Sequence, residues 1–214
     1  MQNAIGGTSM DGDVASQIAG RSLARRGEEY VDEVRRLLDA ALSLMRQHGT
    51  TSSPRVADVV AAAGLSNDAF YRHFASKDAL VAAILEDGSH RLVGYLSHQM
   101  DKEAAPHGKV RRWVEGVLSQ AEPGIADATL AVLWNGGAAG SGAAAGRHFA
   151  STPLAALLEA PYAALGSASP ELDATLASHA VLGVLSDCLW QQRQPTRSER
   201  KRITEVCLRL PTSG

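Results

Sequence analysis

The sequence predicts an all-α protein, a small N-terminal helical unit followed by a larger helical body, and three observations carry that prediction. Apolar residues recur at three- and four-residue steps through most of the chain. No segment alternates polar and apolar with the period of two that a half-buried strand needs, and no internal repeat is evident. Serine, threonine and proline stand where those periodic segments begin and glycine where several of them end, which is the punctuation of helix caps.

Residues 1–27 open with glycine, serine and aspartate and show no sustained apolar period, so they read as a flexible leader. From Glu28 to His48, the residues Val31, Val34, Leu38, Ala41, Leu42 and Met45 mark a first amphipathic helix, with Gly49 beyond its end. Ser53–Pro54 supplies an N-cap oxygen and a first-turn proline for a second helix, whose Val56, Val59, Val60 and Ala63 share a face until Gly64 stops it. Ser66 caps a short third helix carrying Phe70 and Phe74. Ser76 then caps a fourth, with Asp78 in its first turn and apolar positions reaching toward Met100.

Further helices are expected over 110–120 and 125–134, and from Thr152–Pro153 to Leu165. The stretch NGGAAGSGAAAG at 135–146 has the composition of a flexible loop, either a gate or plain slack. Ser169–Pro170 opens a helix to about Gln191, and Thr196 with Glu199 forms a capping box for a last one to about Leu210. The expected divisions are therefore the leader 1–27, a small helical unit 28–75 and a body 76–214.

Bulk properties narrow the function. With 214 residues and 45% apolar residues the chain can bury one large core or two modest ones. No unbroken apolar run approaches the ~20 residues of a membrane span and no secretory pattern is present, so a soluble cytoplasmic protein is expected, with no membrane partner. A net charge of −2 and a pI of about 6.4 argue against binding nucleic acid by bulk charge. Over residues 14–80, nine basic residues face eight acidic ones, so any DNA contact must come from local placement. Arg21, Arg25 and Arg26, ahead of the first helix, could form an arm on the backbone or in the minor groove.

Cys188 and Cys207 lie on apolar helical faces and read as buried thiols. The histidines form no ligand-spaced pair, and no nucleophile-elbow, Walker or dinucleotide motif is present, so no metal, cofactor or catalytic residue is expected.

The segment from Val56 to Lys77 carries the functional signal. Two short helices joined by Ala63-Gly64-Leu65-Ser66 make a helix-turn-helix, a unit that presents one helix to the DNA major groove. Val56, Val59, Val60, Leu65, Phe70 and Phe74 face inward and fix the crossing; Asn67, Asp68, Ala69, Tyr71, Arg72 and His73 then face outward. Asn67 offers donor and acceptor together, Ala69 suits a thymine methyl, and Tyr71 and Arg72 can reach phosphates or base edges. Lys77, just past the helix, suits a phosphate.

The run AAAGLSNDAFYRHFASKDAL at 61–80 resembles the TetR family pattern of Ala-Gly-[Leu/Val]-Ser, then [Phe/Leu]-Tyr-x-[His/Tyr]-Phe-x-[Ser/Thr]-Lys-[Asp/Glu]-x-Leu. The resemblance covers about residues 28–88, and PELDATLASHAVLGVLSDCLW at 170–190 resembles the family's penultimate, dimer-forming helix. It implies a three-helix DNA-binding domain joined by the fourth helix to a ligand-binding and dimerisation domain. It also implies contact with double-stranded DNA at Thr51, Ser53, Asn67, Asp68, Ala69, Tyr71, His73 and Lys77, to which the residue reading adds Arg72. Asp68 departs from the small or basic residue usual there, and an anion among phosphates needs a base amine such as cytosine N4 to accept from.

By that resemblance the protein is a homodimeric repressor on a palindromic operator, not an enzyme, released when a small, largely apolar effector enters the C-terminal domain. Trp113, Trp134, Asn135, His148, Tyr162 and His179 are the candidate lining of that pocket. The rival expectations are a small helical enzyme, which needs a convergent polar cluster in the C-terminal cavity, and a helical adaptor, favoured if the outward face of 67–73 is buried.

Overall fold

The computed structural model describes residues 14–138 and 142–212, with side chains for all of these except 137–138, 142–151 and 212. Among the described residues the regular structure is helical: α1 (Val14–His48), α2 (Val56–Ala63), α3 (Asn67–His73), α4 (Lys77–Asp101), α5 (Pro106–Leu118), α6 (Ala126–Ala138), α7 (Gly142–Ala164), α8 (Pro170–Trp190) and α9 (Arg197–Arg209), with short 3₁₀ turns after α5 and α9.

Two apolar clusters divide the molecule. The N-terminal head gathers Leu37, Ala41 and Met45 of α1, Val59, Val60 and Ala63 of α2, Phe70 of α3, Phe74 just after it, and Leu80, Val81 and Ile84 of α4. The body gathers Trp113, Val114 and Val117 of α5, Leu154, Leu158 and Tyr162 of α7, and Ala174, Ala177, Val181 and Leu185 of α8, with Cys207 from α9. Two helices belong to both: α4 gives its first turns to the head and Leu96 and Met100 to the body, while α6 gives Ala131 and Val132 to the head and Leu130 to the body. Where α5 crosses α4, Gly116 allows a close approach: a Cβ there would lie 2.3 Å from Leu96 Cδ2, so the buried Leu96 side chain would have to shift.

The caps over Ser66, Ser76 and Thr196 form as the sequence predicts, each side-chain oxygen accepting the N–H three residues on. Four other expectations change. Helix α1 begins at Val14, so 14–27 are helical rather than a flexible leader, while 1–13 lie outside the described residues. Every residue from 14 to 32 is exposed, which is why no apolar stripe announces this part of the helix.

Ser53 does not cap α2. Arg55 holds that position, its N–H donating to Asp58 Oδ2 at 3.2 Å. The 135–146 segment is largely helix: α6 runs to Ala138 and α7 starts at Gly142, with 139–141 outside the described residues. At Gly136 a Cβ would come within 3.1 Å of Leu85 Cδ1. Pro153, expected at a helix start, sits inside α7 at the cost of one backbone hydrogen bond.

Candidate nucleic-acid interface

The candidate interface is the outer side of α3 and the ends of its neighbours, and the residues behind it decide how firmly it is held. The turn between α2 and α3 passes through Gly64 at φ 64° and ψ 37°, a left-handed conformation that a glycine adopts without a Cβ clash. Arg36 of α1 closes the end of α2 from the side: Nε donates to Ala63 O at 3.0 Å and Nη2 to Gly64 O at 3.0 Å. A guanidinium suits that place, because the last carbonyls of a helix lack partners and carry its negative dipole end.

Seven residues make α3, too few to be stable alone, so packing must set its direction. Phe70 is fully buried and Phe74 lies behind it, ring centroids 5.8 Å apart. Asn67, Asp68, Tyr71 and Arg72 are exposed, as the sequence predicts, and Tyr71 is 60% exposed despite its aromatic ring. These four project where a groove would receive them.

Two residues expected on that surface face inward. Ala69 is 3% exposed and packs into the head, so it has no methyl to offer a thymine. The His73 side chain is 0% exposed; its Nε2 lies 2.6 Å from Glu33 Oε2, and its ring meets Tyr30 edge-on at 4.2 Å. Helical periodicity within α3 puts both residues outward, but Tyr30 and Glu33 of α1 cover His73, and Ala69 is buried as well. Arg72 is exposed yet lies 3.7 Å from the same Glu33 carboxylate. The hydrogen bond from His73, helped by the nearby Arg72 and Arg36 charges, holds the Glu33 carboxyl below its ordinary value against the opposing effect of burial. Glu33, Tyr30 and Arg36 are thus the braces that sequence reasoning missed. Their only signal is polarity on a helix face, which looks like any solvated surface.

Thr51 is exposed, its hydroxyl donating to His48 O at 2.5 Å. Ser53 and Lys77, both expected to meet DNA, are half-buried and joined: Lys77 Nζ donates to Ser53 Oγ at 2.6 Å. Ser53 Oγ in turn donates to Asn135 Oδ1 of α6 at 2.7 Å.

The residues proposed to line an effector pocket do not converge. Trp113 and Tyr162 are fully buried core, the indole N–H donating to Leu154 O at 2.9 Å and the phenol to Cys207 O at 3.0 Å. Trp134 is half-buried, His179 is exposed, Asn135 is at the head–body junction, and the side chain of His148 lies outside those described. A groove of about 380 Å³ between α4, α5 and α9 is lined by Tyr95, Gln99, Arg112, Glu115 and Arg200, and is too polar for an apolar molecule. Cys188 and Cys207 are free and buried; desolvation raises both thiols, Cys207 to about 11, which leaves them unreactive.

Comparison with known proteins agrees with this arrangement. Residues 37–84, which run from α1 through the helix-turn-helix into α4, match the family profile "Bacterial regulatory proteins, tetR family". No curated protein sequence matches significantly. Among solved structures, a protein from Mesorhizobium loti MAFF303099 assigned as a TetR-family transcriptional regulator is similar over 84% of this chain and 94% of its own, with a TM-score of 0.64 and 12% identity. A protein from Pseudomonas aeruginosa PAO1 assigned as a transcriptional regulator is similar over 83% and 87%, with a TM-score of 0.62 and 21% identity. The regulator FadR from Bacillus subtilis, solved with stearoyl-CoA, is similar over 84% and 98%, with a TM-score of 0.55 and 17% identity. At such identities the likeness to the solved structures is one of fold.

Proposed function

Because residues 37–84 make this chain a TetR-family transcriptional regulator, we propose that it works as a homodimeric repressor in the cytoplasm, on a palindromic operator that a small, largely apolar effector makes it release. One observation carries the DNA-reading role: a short helix braced from behind by Phe70, Phe74 and the Glu33–His73 pair turns Asn67, Asp68, Tyr71 and Arg72 to solvent. The exposure of those four residues weighs against the adaptor reading.

A seven-residue helix reads few base pairs, so a second copy in the next major groove, about 34 Å away, is needed for a useful site. Helix α8 supplies a surface for that copy. Its inner face is core, but Leu172, Leu176 and Trp190 on its outer side are 58%, 48% and 54% exposed, and Val206 on α9 is exposed beside them in sequence order. Large apolar side chains repeating along an exposed helix are costly in water and suit burial against their own symmetry mate.

Release by an effector requires that it bind one conformation of the body better than the other. With Trp113, Leu158 and Tyr162 filling the centre, an apolar effector enters by separating α5 and α7, and the strain passes to α4 and α6, which belong to both cores. FadR, bound to stearoyl-CoA, sets a precedent for an acyl-bearing effector on this fold.

The test is selection of genomic DNA fragments by the purified protein at near-physiological salt. Enrichment of a palindrome with half-sites about one helical turn apart supports the reading. An unenriched pool, from protein that sedimentation shows to be a folded dimer free of small molecules, defeats it.

A further inference from the structure

Asn135 is 4% exposed, one of two buried polar residues among those described, and it lies at the boundary between the two cores. Its amide nitrogen donates to Ala131 O at 2.8 Å, the carbonyl one turn back in α6. The amide is thereby oriented, with Oδ1 turned toward the head, where it accepts the Ser53 hydroxyl at 2.7 Å. Ser53 Oγ then has a lone pair for Lys77 Nζ at 2.6 Å. Each of these hydrogen bonds has its donor and acceptor in order, so the three side chains form one directed chain from α6 to the ammonium group.

The ammonium group occupies an unfavourable place. Lys77 is the first residue of α4, where unpaired N–H groups and the positive dipole end disfavour a cation. It gains from fixed acceptors, and one of its three N–H donors is used by Ser53. The other two remain for an anion that arrives from outside, such as a DNA phosphate.

We infer that Asn135 is a positioning residue for DNA binding, holding the Lys77 ammonium at the DNA-facing edge through Ser53 and releasing it when α6 moves. This rests on the reading that Lys77 meets a phosphate. The neighbours of Asn135 in α6 are tied to both clusters, Ala131 and Val132 to the head and Leu130 to the body. A displacement of α6 by about 1 Å therefore opens the Ser53–Asn135 hydrogen bond beyond its working range. Helix α6 then controls a phosphate contact without touching DNA.

The experiment measures affinity for a fluorescein-labelled duplex of random sequence over a salt series, since a phosphate contact is independent of sequence. Lys77→Met tests the underlying reading: it should weaken binding and lower the salt slope by about 0.9, the value of one phosphate. Asn135→Leu removes the acceptor and should cost about fivefold in affinity with the slope kept. Asn135→Asp places a carboxylate on the relay, pairs the ammonium internally, and should lower the slope as Lys77→Met does. In a Lys77→Met background neither Asn135 variant should have any further effect.

An unchanged slope for Lys77→Met removes the phosphate contact, and the relay's purpose with it. A lowered slope for Lys77→Met beside wild-type binding by both folded Asn135 variants overturns the relay alone. Asn135 effects of the same size with and without Lys77 also overturn it, since they would come from general packing or charge.

Discussion

The head and the body are both helical and both have filled cores, yet they are specified differently. In the head, short helices are aimed by point contacts: Arg36 on the α2 carbonyls, Ser66 and Ser76 as caps, Glu33 on His73. In the body, long helices are aligned by apolar bulk, and the interior polar groups of Trp113 and Tyr162 are satisfied by backbone carbonyls of neighbouring segments. A surface that must match a groove needs its side chains fixed individually. A body held by apolar bulk needs only enough apolar area, which many sequences supply.

Truncating the largest core side chain of each region is the strongest test of that contrast. Trp113→Ala should cost about 3–5 kcal/mol, from lost burial, a cavity and the loss of the indole hydrogen bond to Leu154. Phe70→Ala should cost a similar amount. If the regions share α4 and α6 as one cooperative unit, both variants melt in a single lowered transition. Two separated transitions in either calorimetric trace would show instead that the head unfolds alone.

The exposed face should behave in the opposite manner. Tyr71→Ala removes a side chain that is 60% exposed, so the melting temperature should stay within the range of a neutral surface change. Binding to the selected DNA should fall about tenfold or more, the loss of one good contact to base or phosphate. Wild-type DNA affinity in this variant would remove Tyr71 from the interface.

The turn separates backbone from side-chain effects. Gly64→Ala introduces a Cβ at φ 64°, 3.0 Å from Arg36 Nη2. It should cost about 1 kcal/mol by denaturant titration and weaken DNA binding through the altered helix crossing. Arg36→Lys, which keeps the charge but loses the fork on the two carbonyls, should reproduce part of that loss. A Gly64→Ala protein as stable as the parent would show that the turn relaxes out of the left-handed region.

How much of this was legible in the sequence follows the same division. The caps at Ser66, Ser76 and Thr196–Glu199 are readable because their partners lie within four residues, and Ser169–Pro170 marks a helix start through the proline alone, since the Ser169 side chain makes no cap hydrogen bond. Ser53 was misread as a cap because its partners are 24 and 82 residues away. His73 reads as outward because periodicity within one helix is blind to a second helix crossing over it, here through Glu33 and Tyr30 of α1. Gly136 reads as loop composition because a glycine inside a helix and one in a loop are the same letter. Of the residues expected to line an effector pocket, Trp113 and Tyr162 lie in the core, Asn135 at the head–body junction, Trp134 is half-buried and His179 exposed, while the side chain of His148 lies outside those described; an aromatic residue that fills a core and one that lines a cavity are the same letter in a sequence.

The smallest expected effect isolates the brace beneath the reading helix. The Glu33 carboxyl is held below its ordinary value of 4.5, first by the hydrogen bond with His73 and then by the charges of Arg72 and Arg36. A carboxyl depressed on folding binds fewer protons in the folded than in the unfolded state, so its contribution to stability is complete above 4.5 and lost as the pH falls through the depressed value. Glu33→Gln keeps the shape and removes the charge. Its melting temperature should therefore lie below the parent's near neutrality, and the two curves should converge as the medium is acidified. Since the brace fixes α3 and not α8, DNA affinity should fall with it while the sedimentation coefficient stays that of the parent. A constant gap between the curves down to low pH would mean that Glu33 acts by packing and not by charge, and the head would then be less different from the body than its polar contacts suggest.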